Sequence, residues 1–249
     1  MSHPASPERS ETADESDGRM VDEGAGDGRA TDVRASDDGA GGDRTTRDGA
    51  TDEDGDAYTF DDVAVVMGTY NEEEAIDRVL DDVDRVTDGR ASVVCVDGSD
   101  DRTPAIARDH GARVIEQEPQ GYGVAVSAAL RAADRPVVVT TDCDDTYPME
   151  ALPRFLDAIN EGYDVVSGDR ISPGAEAMPW LNRQGNRAFA LLASALLGER
   201  VHDTTTGMRA YRRSVVEEIT WTENTGLSAE LLVRPLMRGY DVAEVPIDY

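Results

Sequence analysis

Val137-Val-Val-Thr-Thr-Asp142-Cys-Asp144-Asp145-Thr-Tyr-Pro148 decides how the rest of the chain is read. Three consecutive valines after Arg135-Pro136 have the unbroken apolar character of a strand buried on both faces in a parallel sheet. The strand runs into three carboxylates within four residues, then a tyrosine and a proline. On an extended backbone Asp142 and Asp144, two residues apart, point to the same side. Two carboxylates ~4 Å apart repel by roughly 4 kcal/mol at an effective dielectric of about 20. A cation between them removes that repulsion. Hard oxygen ligands favour Mg²⁺ or Mn²⁺, and Mg²⁺ usually takes one or two carboxylates together with substrate phosphates. The pair therefore predicts a metal–diphosphate site; the alternative is a solvated acidic loop in a chain that is acidic throughout.

Working outward, Val63–Met67, Ser92–Val96, Ala112–Ile115 and Val137–Thr141 read as strands, and a further strand starts at Val165-Val166 and ends at Gly168-Asp169-Arg170. Between them, helical spacing covers Glu73–Val86, a segment reaching His110, Gly121–Ala133 and Met149–Asn160. This alternation predicts an α/β domain with a mainly parallel central sheet, flanked by helices and connected by right-handed crossovers. Ligands of such sheets bind beyond the carboxyl ends of the strands. Tyr70–Glu72, Asp97–Asp101, Asp142–Asp145 and Asp169–Arg170 all fall there, so the topology predicts one shared polar site. Further on, Ile171–Pro179 reads as a Pro/Gly loop and Trp180–Leu197 as a helix. Val201–Gly207 is a polar loop followed by Met208–Arg212; Val215–Ile219 and Ser228–Met237 look helical, and Val242–Pro246 is a last strand.

Composition sets the background against which these carboxylates are weighed. The formal charge is −28, every one of the 24 basic residues is arginine, and 33 aspartates stand beside 19 glutamates. An acidic, lysine-free surface suits a high-salt cytoplasm, where screening over ~3 Å at molar salt suppresses self-repulsion. Single exposed acids therefore carry little functional weight, and without a basic stripe nucleic acid is not expected as a partner. Residues 1–57 hold 17 acids, 6 arginines and almost no large apolar side chain. They are expected to be a disordered acidic tail, with a docking tail as the alternative, and the folded domain to span 58–249. Cys95 and Cys143 lack metal-ligand spacing and read as free core thiols. The N-terminus has no apolar signal-peptide core, and no apolar run reaches the ~20 residues of a membrane span; Phe189–Leu197 is the longest.

Five stretches together resemble the family 2 glycosyltransferases over about residues 61–249. They are Thr69-Tyr-Asn-Glu72, Asp97-Gly-Ser-x-Asp101-x-Thr103, Asp142-x-Asp144 with Tyr147-Pro148, Gly168-Asp-Arg170 and Asp203-Thr-Thr-Thr-Gly207-x-Arg209-Ala. Within the family the chain is most similar to the dolichyl-phosphate mannose/glucose synthases, including archaeal members of lipid-linked glycan pathways. The resemblance implies a GT-A fold, a nucleotide-sugar donor (UDP-glucose or GDP-mannose), Mg²⁺ or Mn²⁺, inversion at the anomeric carbon and a polyprenyl or dolichyl phosphate acceptor. It also implies a cytoplasmic enzyme at the inner face of the cell membrane. Carried over by position, it assigns Thr69, Tyr70, Glu72, Asp97 and Asp101 to the nucleoside and Asp142 and Asp144 to the metal and diphosphate. Arg209 is assigned to the donor diphosphate, and Arg170 and Arg183, with Asn182 and Asn186 nearby, to the lipid phosphate. Three departures stand out: Val96 replaces a frequent aspartate before Asp97, Thr146 falls where some relatives carry a third metal ligand, and many relatives continue beyond Tyr249, leaving truncation open.

The expected reaction is a single in-line displacement that needs no strong base, because a lipid phosphate with a second pKa of about 6 is largely dianionic near neutrality. Arginine forks suit that acceptor. Duller readings stand beside these assignments: ion pairs for Arg170 and Arg209, a solvated helix face for Arg183, helix N-terminal support for Glu72 and a plain helix start for Gly121-Tyr-Gly123. Two other function classes remain. One is transfer to a hydroxyl acceptor, with Asp169 or Glu230 as general base; the other is a non-catalytic nucleotide-binding module.

Overall fold

The computed structural model describes residues 34–35, 51, 55–171, 190–191, 193–195, 198, 201–222 and 224–248. Among the described residues eight strands form one sheet: β1 (Arg34–Ala35), β2 (Val63–Thr69), β3 (Ser92–Asp97), β4 (Arg113–Glu116), β5 (Val137–Thr140), β6 (Val165–Asp169), β7 (Arg209–Arg212) and β8 (Val242–Pro246). Their spatial order is β1-β8-β6-β7-β5-β2-β3-β4. Four of the seven pairings are parallel, β2 with β3 and β5, β3 with β4, and β6 with β8. The apolar runs form the central strands because both faces of the sheet are covered. Val63–Met67 of β2 and Val137–Val139 of β5 are buried throughout.

One face carries α1 (Ile76–Thr87), α2 (Thr103–Asp109) and α4 (Leu152–Asn160), joined to the sheet in a core that includes Val65, Met67, Val79, Ala107 and Phe155. The other carries α3 (Tyr122–Ala132), α5 (Arg213–Glu218) and α6 (Leu227–Met237), around Val66, Val126, Leu130, Val215 and Leu231. The amphipathic spacing of α1 places Ile76, Val79, Leu80 and Val83 inward. Both cysteines are free and buried.

Three details depart from the sequence reading. β7 was not anticipated, since an Arg-Ala-Tyr-Arg segment does not advertise a central strand. It lies antiparallel between β5 and β6, with Thr140 opposite Arg209 and Ser167 opposite Arg209 from the other side. Strand β5 stops at Thr140 rather than Thr141. The helix expected from Met149 opens as a 3-10 turn, Met149–Ala151, because Pro153 has no N–H for the Met149 carbonyl and Leu152 N–H takes it instead. Most of the expected tail, residues 1–57, and most of the expected helix Trp180–Leu197 lie outside the described residues; Arg34–Ala35 pairs with β8. No described helix is long and apolar enough to cross a membrane.

Because β7 runs opposite to its neighbours, its first residue, Arg209, comes to the edge where β2, β3, β5 and β6 end. That edge holds the polar loops.

Candidate active site

The loops after β2 and β3 are stitched to each other before they meet any ligand. Asn71 N–H donates to Ser99 Oγ at 2.8 Å, Asp100 N–H to Asn71 Oδ1 at 3.1 Å, Glu72 N–H to Thr103 Oγ1 at 2.8 Å and Glu73 N–H to Asp101 Oδ2 at 3.3 Å. Asp97, buried, accepts the Thr69 hydroxyl at 2.5 Å, the Ser99 hydroxyl at 2.8 Å and Ser99 N–H at 3.0 Å. These bonds fix the mouth of a cleft. One cavity, about 450 Å³, is lined by Tyr70, Asp97–Asp100 and Glu116–Pro119. A second, about 480 Å³, shares Tyr70, Gly98, Gln117 and Pro119 with it and extends to Gly68, Thr69, Glu72, Tyr122 and Asp142–Asp144.

Asp142 and Asp144 reach this second cavity from a bent loop, not from the extended strand end that the sequence suggested. Asp145 is left-handed at φ 64°, and Asp144 Oδ1 accepts Thr146 N–H at 3.2 Å and the Thr146 hydroxyl at 2.5 Å. Each oxygen of the Asp142 carboxylate has a close neighbour. The Tyr122 hydroxyl, at the start of α3, donates to Asp142 Oδ1 at 2.9 Å. Gly207 lies so close that a Cβ there would stand 2.6 Å from Asp142 Oδ2.

The electrostatics divide the carboxylates into two groups. Burial raises the Asp142 pKa and Asp144 raises it further, against the lowering effects of the Tyr122 hydrogen bond, Arg170 and Arg209. Glu72 is raised by burial and then by Asp144, Asp101 and Asp142. In Asp101 burial is outweighed by hydrogen bonds from Thr103 and Glu73, and its pKa falls. In Asp203 burial is outweighed chiefly by Arg170. In Asp142 and Glu72 burial and like charges outweigh the compensation present, whereas in Asp101 and Asp203 compensation wins.

Two arginines flank Asp142. Arg170, 6% exposed, clamps Asp203 through Nε to Oδ2 at 2.7 Å and Nη2 to Oδ1 at 3.1 Å, and reaches the Thr205 and Tyr147 hydroxyls. The Tyr147 hydroxyl also accepts Gly207 N–H at 2.7 Å, so this network holds the 203–207 loop against Asp142. Arg209 is fully buried on β7; Nε donates to Ser167 Oγ at 3.1 Å and Nη2 to the Thr204 carbonyl at 3.0 Å, while Nη1 has no hydrogen-bond partner among the described residues.

Of the residues singled out from sequence, Thr69, Tyr70, Glu72, Asp142 and Asp144 line the larger cavity, and Asp97 lines its neighbour. Asp101 is a clamp between the β2 and β3 loops and lines neither. Arg170 and Arg209 stand behind the wall. Arg183, with Asn182 and Asn186, lies outside the described residues. Sequence reasoning missed Tyr122, for which Gly121-Tyr-Gly123 at a helix start on the ligand edge was the available signal. It also missed Asn224, which carries no local signal. Among the described residues no three His, Cys, Asp or Glu side chains gather closely enough to enclose a metal. Two cavity carboxylates, Asp142 half-buried and Asp144 exposed, the first with a pKa raised by burial despite Tyr122, Arg170 and Arg209, fit a divalent cation that completes its shell with phosphate and water oxygens.

Residues 64–220 match the family described as Glycosyl transferase family 2. The chain belongs to that family. It is 79% identical over 192 residues to a dolichyl-phosphate hexose transferase of Haloferax volcanii, covering 77% of this chain and 84% of that one. It is 31% identical over 201 residues to a polyprenol monophosphomannose synthase of Mycolicibacterium smegmatis, covering 74% and 76%. Among solved structures it resembles glucosyl-3-phosphoglycerate synthase of Mycobacterium tuberculosis, there in complex with Mn²⁺, UDP-glucose and phosphoglyceric acid. The TM-score is 0.62 at 24% identity, over 74% of this chain and 69% of that one. As a family 2 glycosyltransferase the chain has the GT-A architecture: helices on both faces of a mostly parallel sheet, with the polar edge at the strand ends.

Proposed function

We propose that this protein transfers a hexose from a nucleotide-sugar to a polyprenyl (dolichyl) phosphate, with inversion at the anomeric carbon, for lipid-linked glycan assembly. The observation that carries the reading is the Asp142–Asp144 pair on the wall of a 480 Å³ cleft, in a chain 79% identical to a dolichyl-phosphate hexose transferase. In this reading the nucleoside of UDP-glucose or GDP-mannose occupies the cavity between Tyr70 and Glu116–Pro119, and the diphosphate runs toward Asp142. Thr69 and Glu72 line its path, and Asp97 and Asp101 keep the nucleoside loops in shape. Asp142 and Asp144 hold Mg²⁺ or Mn²⁺, which when bound offsets charge developing on the departing diphosphate. The buried Arg209 adds positive potential behind that position, where low dielectric strengthens it.

The acceptor phosphate attacks without a protein base, since it is already anionic near neutral pH. A hydroxyl acceptor is less well served. Glu230 is buried and accepts Thr222 N–H and the Thr222 hydroxyl while pairing with Arg234 at 2.5 Å; Asp169, also buried, accepts Ile171 N–H at 2.8 Å. Both carboxylates that could serve as base are engaged in holding the backbone. On the acceptor side Arg183 is the proposed phosphate ligand, and Arg170 acts through Asp203 by ordering the 203–207 loop. The acceptor lipid is met at a membrane surface.

The test is sugar transfer in molar salt with Mg²⁺ or Mn²⁺, each donor, and a polyprenyl phosphate. A metal-dependent glycolipid that disappears in Asp144→Asn is the expected product. Retention of anomeric configuration would rule out the single displacement, and equal turnover with Asp144→Asn would remove the carboxylate pair from the mechanism.

A further inference from the structure

We propose that Asn224 is a positioning residue for Asp142: it caps α3 from another loop, and α3 in turn sets the Tyr122 hydroxyl on the Asp142 carboxylate. The proposal rests on reading Asp142 and Asp144 as the cation-holding pair. Helix α3 has no cap of its own, because Gly121 stands at its N-cap and offers no side chain. The first N–H groups of a helix need acceptors from elsewhere. Asn224 supplies one: its Oδ1 accepts Gly123 N–H at 3.0 Å, while its Nδ2 donates to the Gln120 carbonyl at 2.9 Å. One carboxamide thus closes on both sides of Gly121. Room for it exists because Gly121 has φ 101° and no Cβ; a Cβ there would stand 2.7 Å from Asn224 Oδ1 and Nδ2.

The arm that carries Asn224 is braced independently of the cleft. Thr222, two residues earlier, gives its N–H to Glu230 Oε2 at 3.0 Å and its hydroxyl to Glu230 Oε1 at 3.0 Å. Arg234 donates to the Thr220 carbonyl at 2.9 Å and to Thr222 Oγ1 at 2.6 Å. The i,i+4 pair Glu230–Arg234 on α6 therefore fixes the loop, and the loop fixes the start of α3. Tyr122 is 39% exposed, so packing alone does not aim its ring. The first turn of α3 does, and it aims the hydroxyl at Asp142 Oδ1. Glu230, a possible base for a hydroxyl acceptor when read from sequence, becomes the far anchor of this chain of contacts.

The test is Mn²⁺ binding to the full chain in molar KCl, read from the electron paramagnetic resonance signal of free Mn²⁺, beside amide hydrogen exchange. Tyr122→Phe should weaken Mn²⁺ about tenfold, the loss of one hydrogen bond to a charged group. Asn224→Ala should weaken it about threefold or more and speed exchange over residues 122–126, with the small drop in denaturation midpoint expected for a lost helix cap. Gly121→Ala, which crowds out the carboxamide, should weaken Mn²⁺ and speed exchange likewise, with a lowered denaturation midpoint because φ is 101° there. The double variant Asn224→Ala/Tyr122→Phe should bind no more weakly than Tyr122→Phe alone, because both act on one contact. Additive losses, or wild-type Mn²⁺ binding in Asn224→Ala, overturn the proposal. Asp144→Asn separates the levels. If it binds Mn²⁺ like wild type, the reading of the site fails and takes the proposal with it. If it loses Mn²⁺ while Asn224→Ala keeps it, the proposal alone fails.

Discussion

Two acids of the same polar edge, Asp203 and Asp142, behave in opposite ways. Asp203 is wholly buried yet clamped by Arg170, and its pKa is driven below the ordinary carboxylate value. Asp142 faces the cleft with a tyrosine hydroxyl as its hydrogen-bonding partner, and burial together with Asp144 drives it up. The difference separates scaffold from site. A fully compensated charge holds the loop that carries it, whereas one only partly compensated is a standing cost that a bound cation relieves.

The largest test of this contrast is Asp203→Ala. It leaves the Arg170 guanidinium buried without its counter-charge and should destabilise the fold by about 3–5 kcal/mol, measured by denaturant unfolding. A loss under 1 kcal/mol would mean that the pair is not holding the loop. Asp142→Asn should do the reverse: transfer falls by roughly 10²–10³, comparable to removing a group that stabilises transition-state charge, while the unfolding midpoint is kept or rises. A destabilised Asp142→Asn protein would place Asp142 with the scaffold. Gly207→Ala tests how tightly scaffold and site are joined. Its Cβ must displace the Asp142 carboxylate, so activity should drop with a stability loss of about 1–3 kcal/mol, and a fully active variant would show that Asp142 has room to move.

The smallest effect is in pH dependence, and the two acids give it opposite signs. For Asp203 the folded pKa lies below the unfolded one, so its stabilisation is present above the unfolded value, near 4, and is lost as pH falls through the folded value. For Asp142 the folded pKa lies above the unfolded one. Its contribution is most favourable below the unfolded value and is lost as pH rises through the folded value. The midpoint advantage of Asp142→Asn over wild type in metal-free buffer should therefore shrink as pH is lowered toward 4. An advantage that grows on acidification would contradict the raised pKa.

Much of the family signature turns out to serve the backbone. Asn71, Asp101 and Thr103 recur in the motifs that suggested nucleotide binding, yet their polar atoms tie the β2 loop to the β3 loop. The valine runs, the amphipathic helices and the convergence of the acidic loops on one edge were legible because each depends on local burial or on the direction of a parallel strand. β7 was illegible because Arg209 and Arg212 look solvated, and only the fold provides Ser167 Oγ and the Thr204 carbonyl to receive Arg209.

The sequence by itself determined that the chain builds an α/β sheet with its carboxylates gathered at the strand ends, because periodicity and apolar runs report how each segment is buried. Only the tertiary structure decided which charges are compensated. Arg170 meets Asp203 across 33 residues, Tyr122 meets Asp142 across 20, and Asn224 meets Gly123 across 101. No local pattern encodes such pairings, since they depend on which loops the crossovers bring together, and the ionisation of the cleft follows from them.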